Sequence, residues 1–297
     1  MTTPWNPIFS AEVRWEVTGN SVGDRLASIT TSHCREPLQR RSLSVLEAIG
    51  LFIAGLLAGM VNSLAGGGSF ITFPALMAVG ISPIAANATN TFASCAGYIS
   101  GAVGFRRELW AHRQQLPRIA LTALIGGVIG ASLLIQTSSA TFSHAIPWLL
   151  LLATSLLVWG DAVQAYLRQK FAHRQSLSRL AVVVTGLLLL LVCIYGGFFN
   201  AGLGIILLGY FTLAGHQDIH LMNGLKLMVS ALVSIVAILV FGAGELIAWR
   251  EGTIVLVGTL IGGYAAASAV RVVSQRLVRG AIILVAAGIT VYFFIAS

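Results

Sequence analysis

The sequence predicts an all-α polytopic membrane protein made of two inverted repeats of about five segments each. Each repeat carries a short glycine-interrupted segment, discontinuous or re-entrant. Three observations carry this. Hydrophobic residues make up 57% of the chain and charged residues 9%, with a mean hydropathy of +0.87, too few charges to cover a soluble surface of this size. Apolar runs follow one another from residue 43 to the end. Finally, one gapless offset of 136 positions lays Ala65-Gly66-Gly67-Gly68 on Ala201-Gly202-Leu203-Gly204, Asn87 on Asn223, and Leu124-Ile125-Gly126-Gly127 on Leu260-Ile261-Gly262-Gly263.

Residues 1–42 are polar and of mixed charge, with no apolar run near Met1, and read as a flexible tail rather than a secretory signal. The long apolar runs are 43–65, 84–105, 119–136, 145–167, 180–199, 219–241, 252–270 and 280–296. Each approaches or exceeds the roughly 18 residues that a spanning helix needs. Two shorter runs, 70–81 and 203–215, occupy matching places in the halves. At about 1.5 Å per residue they reach only about 18 to 20 Å. The expected organisation is a first transmembrane repeat over 43–167, a basic cytoplasmic linker over 168–179 and a second repeat over 180–297.

The net charge of +8 does not point to nucleic acid, because the basic residues cluster between apolar runs. That is a topology signal. Arg106, Arg107, Arg113 and Arg118 outweigh Glu108; Arg168, Lys170, Arg174 and Arg179 mark the linker; Arg271, Arg276 and Arg279 mark a third loop. All three loops are expected in the cytoplasm, and an odd number of segments per unit makes the units inverted. Inverted repeats with short, glycine-interrupted segments in corresponding positions are the signature of a secondary transporter with its site at the midplane. The same count puts the N-terminus outside, where Arg35, Arg40 and Arg41 run against the charge rule; with re-entrant short segments the crossing count changes and the N-terminus can lie inside.

The stretch from Asn62 to Asn90 sets a glycine triplet, a proline and polar amides in apolar surroundings, which a purely structural helix does not require. The Gly-rich turn followed by Phe73-Pro74-Ala75-Leu76, with a weaker copy from Gly196 to Leu213, resembles the sulfite exporter TauE/SafE family over nearly all of residues 43–297. That resemblance implies an inner-membrane carrier for sulfite, sulfonates or related small organic anions. The first family motif falls on Gly66, Gly67, Gly68 and Pro74 and the second on Gly202 and Gly204. The second copy has Ile205 where a further glycine is usual and Tyr210 in place of the proline, so the two half-sites need not bind alike. The N-terminal segment is also longer than is typical of the family.

The chemistry can be argued from the residues themselves. A small oxyanion crossing a bilayer needs its lost hydration replaced, and helix N-termini offer N–H groups for this without a fixed counter-charge. Glycine lets the backbone approach closely. Two glycine turns ahead of two short segments could converge on one anion; the competing reading is close helix packing through small residues. For Gly126, Gly127, Gly130, Gly262 and Gly263, which lie mid-segment, packing is the expected role. Asn62 and Asn200 flank the turns, either as donors to an anion or as caps of a broken helix. Lys226 is the basic residue within a long apolar run, and its counterpart is Asn90; each follows a matched asparagine, Asn87 or Asn223, by three residues. A charge there costs roughly 2.5 to 3.5 kcal/mol on insertion scales. It therefore faces protein or a cavity, or else snorkels to the interface.

His216, Asp218 and His220 read as a solvated turn, and Glu47, Asp161 and Glu245 lie near segment ends. No P-loop, catalytic triad or metal motif appears, so no enzyme, cofactor or metal site is expected. An intramembrane enzyme would have only Cys95, Cys193 and Lys226 to draw on. The expected partners are a small anionic substrate and the lipid bilayer, with a homodimer left open. The expected activity is export across the cytoplasmic membrane by a secondary carrier; an anion channel or a carrier of a different solute is the alternative.

Overall fold

In the computed structural model, residues 43–64, 67–171, 179–269 and 275–296 are described. The N-terminal segment 1–42, Gly66 and most of the linker lie outside them. Every regular element among the described residues is helical: α1 (Val45–Leu64), α2 (Ser69–Ala78), α3 (Pro83–Gly104), α4 (Arg106–Ala111), α5 (Leu116–Gln136), α6 (Ser139–Phe171), α7 (Arg179–Phe198), α8 (Leu203–Leu213), α9 (Ile219–Ala243), α10 (Trp249–Ala269) and α11 (Gln275–Ala296). Each long apolar run became a helix of at least 20 residues. The two short runs became helices of 10 and 11 residues.

Two elements differ from the sequence expectation. The basic segment after α3 holds a six-residue helix, α4, too short to leave a periodic signal. The helix α6 runs on to Phe171, into the segment read as linker.

Boundaries follow from local chemistry. Pro83 opens α3 at a position where its missing N–H costs nothing. Asp218 caps α9, its carboxylate accepting the backbone N–H of His220. The glycines with positive φ are Gly67, Gly80, Gly202 and Gly215, and both pairs lie 135 residues apart, not 136. The repeat therefore slips by one residue across the short helices and returns to its 136-residue register in α3 and α9. A gapless comparison of the sequence cannot register that slip, so it pairs Gly68 with Gly204 instead of Gly67 with Gly202.

Four helices, α1, α5, α6 and α9, are long and apolar enough by themselves to cross a membrane. In α3 the polar residues that dilute the apolar content, Asn87, Thr89, Asn90, Thr91 and Ser94, are all buried. Their polarity is turned inward. The opposite kind of face is seen on α1, where Leu46, Ile49, Ile53 and Leu57 form an exposed stripe. So large an apolar surface fits hydrocarbon, not water. The chain is a multi-pass membrane protein.

The helices pack in matched pairs. In α1 and α10, Gly55 faces Val255 and Gly59 faces Thr259, so the two run parallel. In α5 and α7, Gly126 faces Leu190 and Cys193, and Gly130 faces Ile194, again parallel. A Cβ on Gly126 would stand 2.5 Å from that of Cys193, so the packing role expected of this glycine is the one it plays. By contrast α3 and α9, which are repeat counterparts, run antiparallel: Gly101 lies on Leu227 while Gly224 lies on Phe105. The counterparts α6 and α11 do the same, through Trp148 with Phe294 and Thr154 with Thr290.

Candidate functional site

Each short helix starts from a glycine turn and is followed by a second glycine, and its first turn is buried, at Ser69 and Phe70 in α2 and at Asn200 and Leu203 before and in α8. The turn before α2 passes through Gly67 at φ +96°, and the turn before α8 through Gly202 at φ +78°. Only glycine takes these values without strain. Gly68 differs from Gly67. It has ordinary helical dihedrals, and a Cβ on it would stand 2.5 Å from the Ala58 carbonyl oxygen and 2.8 Å from Asn62 Nδ2. Gly68 is there because α1 and α2 touch.

The first half-site is closed by its own side chains. Asn62 Oδ1 accepts the Gly68 N–H at 2.8 Å, which is the cap role. Asn90, 1% exposed, donates through Nδ2 to Ser69 Oγ at 3.1 Å and accepts from Thr72 Oγ1 at 2.5 Å. The first turn of α2 is thereby tied to the middle of α3.

The second half-site has another pattern. Lys226, the counterpart of Asn90, runs its stem past the first turn of α8, where a Cβ on Gly204 would stand 3.3 Å from Lys226 Cδ. Its Nζ donates to Asn223 Oδ1 at 3.1 Å. Among the described residues no carboxylate pairs with it. Asn200 sits in the turn itself, 2% exposed, donating through Nδ2 to Ser234 Oγ at 3.2 Å; the Tyr98 hydroxyl reaches its Oδ1 at 3.5 Å. Asn87 donates through Nδ2 to the Phe198 carbonyl at 2.9 Å, one of the last carbonyls of α7.

Of the residues singled out in the sequence, the structure brings Gly67, Gly68, Asn62 and Asn90 together at the first turn. It gathers Asn200, Gly202, Gly204, Asn223 and Lys226 at the second, with Asn87 bridging to α7. Between the two turns, Phe73 and Phe199 meet edge to face with ring centroids 5.8 Å apart.

Sequence reasoning missed Tyr98 and Ser234, which hydrogen-bond Asn200, and Ser230 on the same helix; Ser94 is the counterpart of Ser230 in the first repeat and touches neither turn in any of these bonds. The signal was there: Asn87, Asn90, Ser94 and Tyr98 recur on α3 at helical spacing, and the 136-residue offset carries them onto Asn223, Lys226, Ser230 and Ser234. Each antiparallel counterpart helix thus carries one polar stripe. Among the described residues no group of three or more His, Cys, Asp or Glu could hold a metal.

Residues 51–293 match the family described as sulfite exporter TauE/SafE. The chain is 30% identical over 239 residues to "Probable membrane transporter protein YfcA" of Escherichia coli K12, covering 80% of this chain and 86% of that protein. It is 26% identical over 236 residues to "Probable membrane transporter protein" of Haemophilus influenzae, covering 79% and 89%. It is also 29% identical over 238 residues to "Probable membrane transporter protein ORF9" of a Sinorhizobium species, covering 77% and 87%. No solved structure matches.

Proposed function

The chain belongs to the sulfite exporter TauE/SafE family of membrane transporters, and from that premise we propose that it is a secondary carrier. It exports a small sulfur-containing or organic anion, sulfite or a sulfonate, across the cytoplasmic membrane, from a site between the two glycine turns near the midplane. One observation supports this above the others: the two short helices both begin at a positive-φ glycine inside the protein, and each first turn is met by the counterpart residue of the other, Asn90 or Lys226. Helix N-termini and one cation without a carboxylate partner favour an anion over a cation.

In this reading the repeats are inverted across the bilayer. Counterpart helices α3 and α9, and α6 and α11, oppose each other in direction, while the basic segments follow the ends of α3, α6 and α10. Those three ends then share one face, which the charge rule makes cytoplasmic. The pairs α1–α2 and α7–α8 are then re-entrant hairpins entering from opposite faces. The C-terminus is outside, and so is the N-terminal segment, against the preference of Arg35, Arg40 and Arg41.

Reconstitution into proteoliposomes with a panel of sulfite, sulfate, taurine, chloride and sodium tests the reading. Saturable uptake of sulfite or a sulfonate, accelerated by the same anion inside, is expected. Transport of sodium with no anion uptake overturns the anionic substrate, and non-saturating flux without counterflow makes the protein a channel. Activity of a cytoplasm-only reporter fused after Ser297 overturns the topology.

A further inference from the structure

Although the two repeats match helix for helix, their glycine turns differ in what remains available to a ligand. At the first turn the side-chain amides are consumed internally, although the Ser69 N–H, like that of Gly204, has no hydrogen-bond partner among the described residues. The Gly68 N–H is taken by Asn62, and the Asn90 amide is shared between Ser69 and Thr72. At the second turn a cation and a buried hydroxyl remain as well. The Gly204 N–H, in the first turn of α8, has no hydrogen-bond partner among the described residues, whereas Leu203 N–H bonds Asn200 O and both Ile205 N–H and Ile206 N–H bond Gly202 O. Lys226 lies against Gly204 with no carboxylate partner among the described residues.

The independent observation is Ser230. It is 1% exposed, and its hydroxyl makes no hydrogen bond among the described residues. Its position on α9 fixes where it faces. One turn before it, Lys226 lies on Gly204; one turn after it, Ser234 bonds Asn200. Residues four apart on a helix share a face, so Ser230 fronts the turn 200–204 between these contacts. A buried hydroxyl without a partner costs free energy comparable to a lost hydrogen bond. A ligand that accepts a hydrogen bond from it removes that cost.

We propose that the transported anion binds at the second turn alone, one per chain, held by the Gly204 N–H, Lys226 Nζ and Ser230 Oγ. The first turn is a structural copy that carries the amide of Asn90, tied to Ser69 and Thr72, where the second carries a cation. This rests on the anion-carrier reading and deepens it. The Gly204 N–H and Ser230 Oγ lie to either side of the Lys226 stem, and Lys226 Nζ, which donates to Asn223 Oδ1 in this structure, turns from Asn223 to complete three donors that suit a compact oxyanion. A single cation, desolvated with its partner, matches one negative charge better than two. The substitution of Lys226 for Asn at one of two equivalent depths is what makes one half-site the binding half.

The test is equilibrium binding of sulfite, with sulfate as a second probe, to the full chain in lipid nanodiscs. It uses mirror-image variants, Ser230→Ala against its counterpart Ser94→Ala, together with Lys226→Gln and Lys226→Arg. A stoichiometry of one is expected. Ser230→Ala is expected to weaken binding about tenfold, the loss of one hydrogen bond to a charged group. Lys226→Gln weakens it more, Lys226→Arg retains part, and Ser94→Ala leaves it unchanged. Two anions per chain, or equal losses in Ser94→Ala and Ser230→Ala, overturn the one-sided site while leaving the carrier reading in place. Failure of the wild-type chain to bind either anion overturns the site as a compact-oxyanion site, while the carrier reading stands or falls on the proteoliposome panel with taurine.

Discussion

Thr154 and Thr290 meet hydroxyl to hydroxyl at 3.0 Å, and they stand 136 positions apart in the chain, the offset that relates the two halves. A residue in contact with its own counterpart marks the place where the halves exchange. Here it lies between the antiparallel helices α6 and α11. Thr290 Oγ1 also donates to the Ala286 carbonyl at 2.7 Å, which uses its only proton. Thr154 is therefore the donor to Thr290.

The first prediction follows. Both threonines are buried, at 7% and 4% exposure, so neither hydroxyl turns to solvent when its partner is removed. In a double-mutant cycle of Thr154→Val and Thr290→Val, unfolding in mixed micelles is expected to give a coupling of about 0.6 kcal/mol, the average for interhelical hydrogen bonds in membranes. Thr154→Val alone leaves Thr290 its back-bond to Ala286 and costs the less of the two. Additive single effects would mean that the contact carries no energy.

Much of this fold was legible because bilayer crossing demands long apolar runs, and every such run became a helix. The glycine turns were legible too, since Gly67 and Gly202 interrupt apolar sequence with the one residue that reverses the chain at positive φ. The one-residue slip was not, because a sequence offset has no access to dihedrals. The engagement of Asn90 was equally hidden: Asn90 and Lys226 look equivalent in register, and only the contacts of Asn90 with Ser69 and Thr72 reveal that its amide is tied to the first turn. Ser230 read as a small residue in an apolar helix. Its significance lies in having no partner, a property of packing alone.

The second prediction separates the two roles of adjacent glycines. Gly67→Ala and Gly202→Ala place a Cβ at positive φ, costing about 1 to 2 kcal/mol each; at Gly202 the new Cβ also meets Ala153 Cβ at 3.0 Å. The tip is expected to shift while the surrounding helices hold, so membrane yield stays near wild type and transport falls severely. Gly68→Val instead drives a side chain into the Ala58 carbonyl, and its yield falls. Gly97→Ala in α3, with nothing within 4 Å of the new Cβ, is the control, expected to be neutral or mildly stabilising. Wild-type transport by Gly67→Ala would remove the first turn from the transport mechanism.

The third prediction concerns the turn between α8 and α9, outside the spanning segments. The His216 ring packs edge-on to Phe211, with centroids 5.6 Å apart. Burial first, and the neighbouring His112 second, hold its pKa below the ordinary histidine value. The folded chain therefore takes up this proton at lower pH than the unfolded chain does. Stability from neutral His216 is present in full above the unfolded pKa, about 6.5, and is lost as pH falls through the folded one. Ring titration by NMR is expected to place the His216 midpoint below that of an exposed histidine, and His112→Asn to move it partway back up by removing a like charge. His216→Phe keeps an aromatic ring against Phe211 and removes the titration, so its stability should fall less between neutral and mildly acidic pH than that of the wild type. A His216 midpoint at or above the ordinary value would show the ring to be solvated, and the turn to be the open loop that its composition suggests.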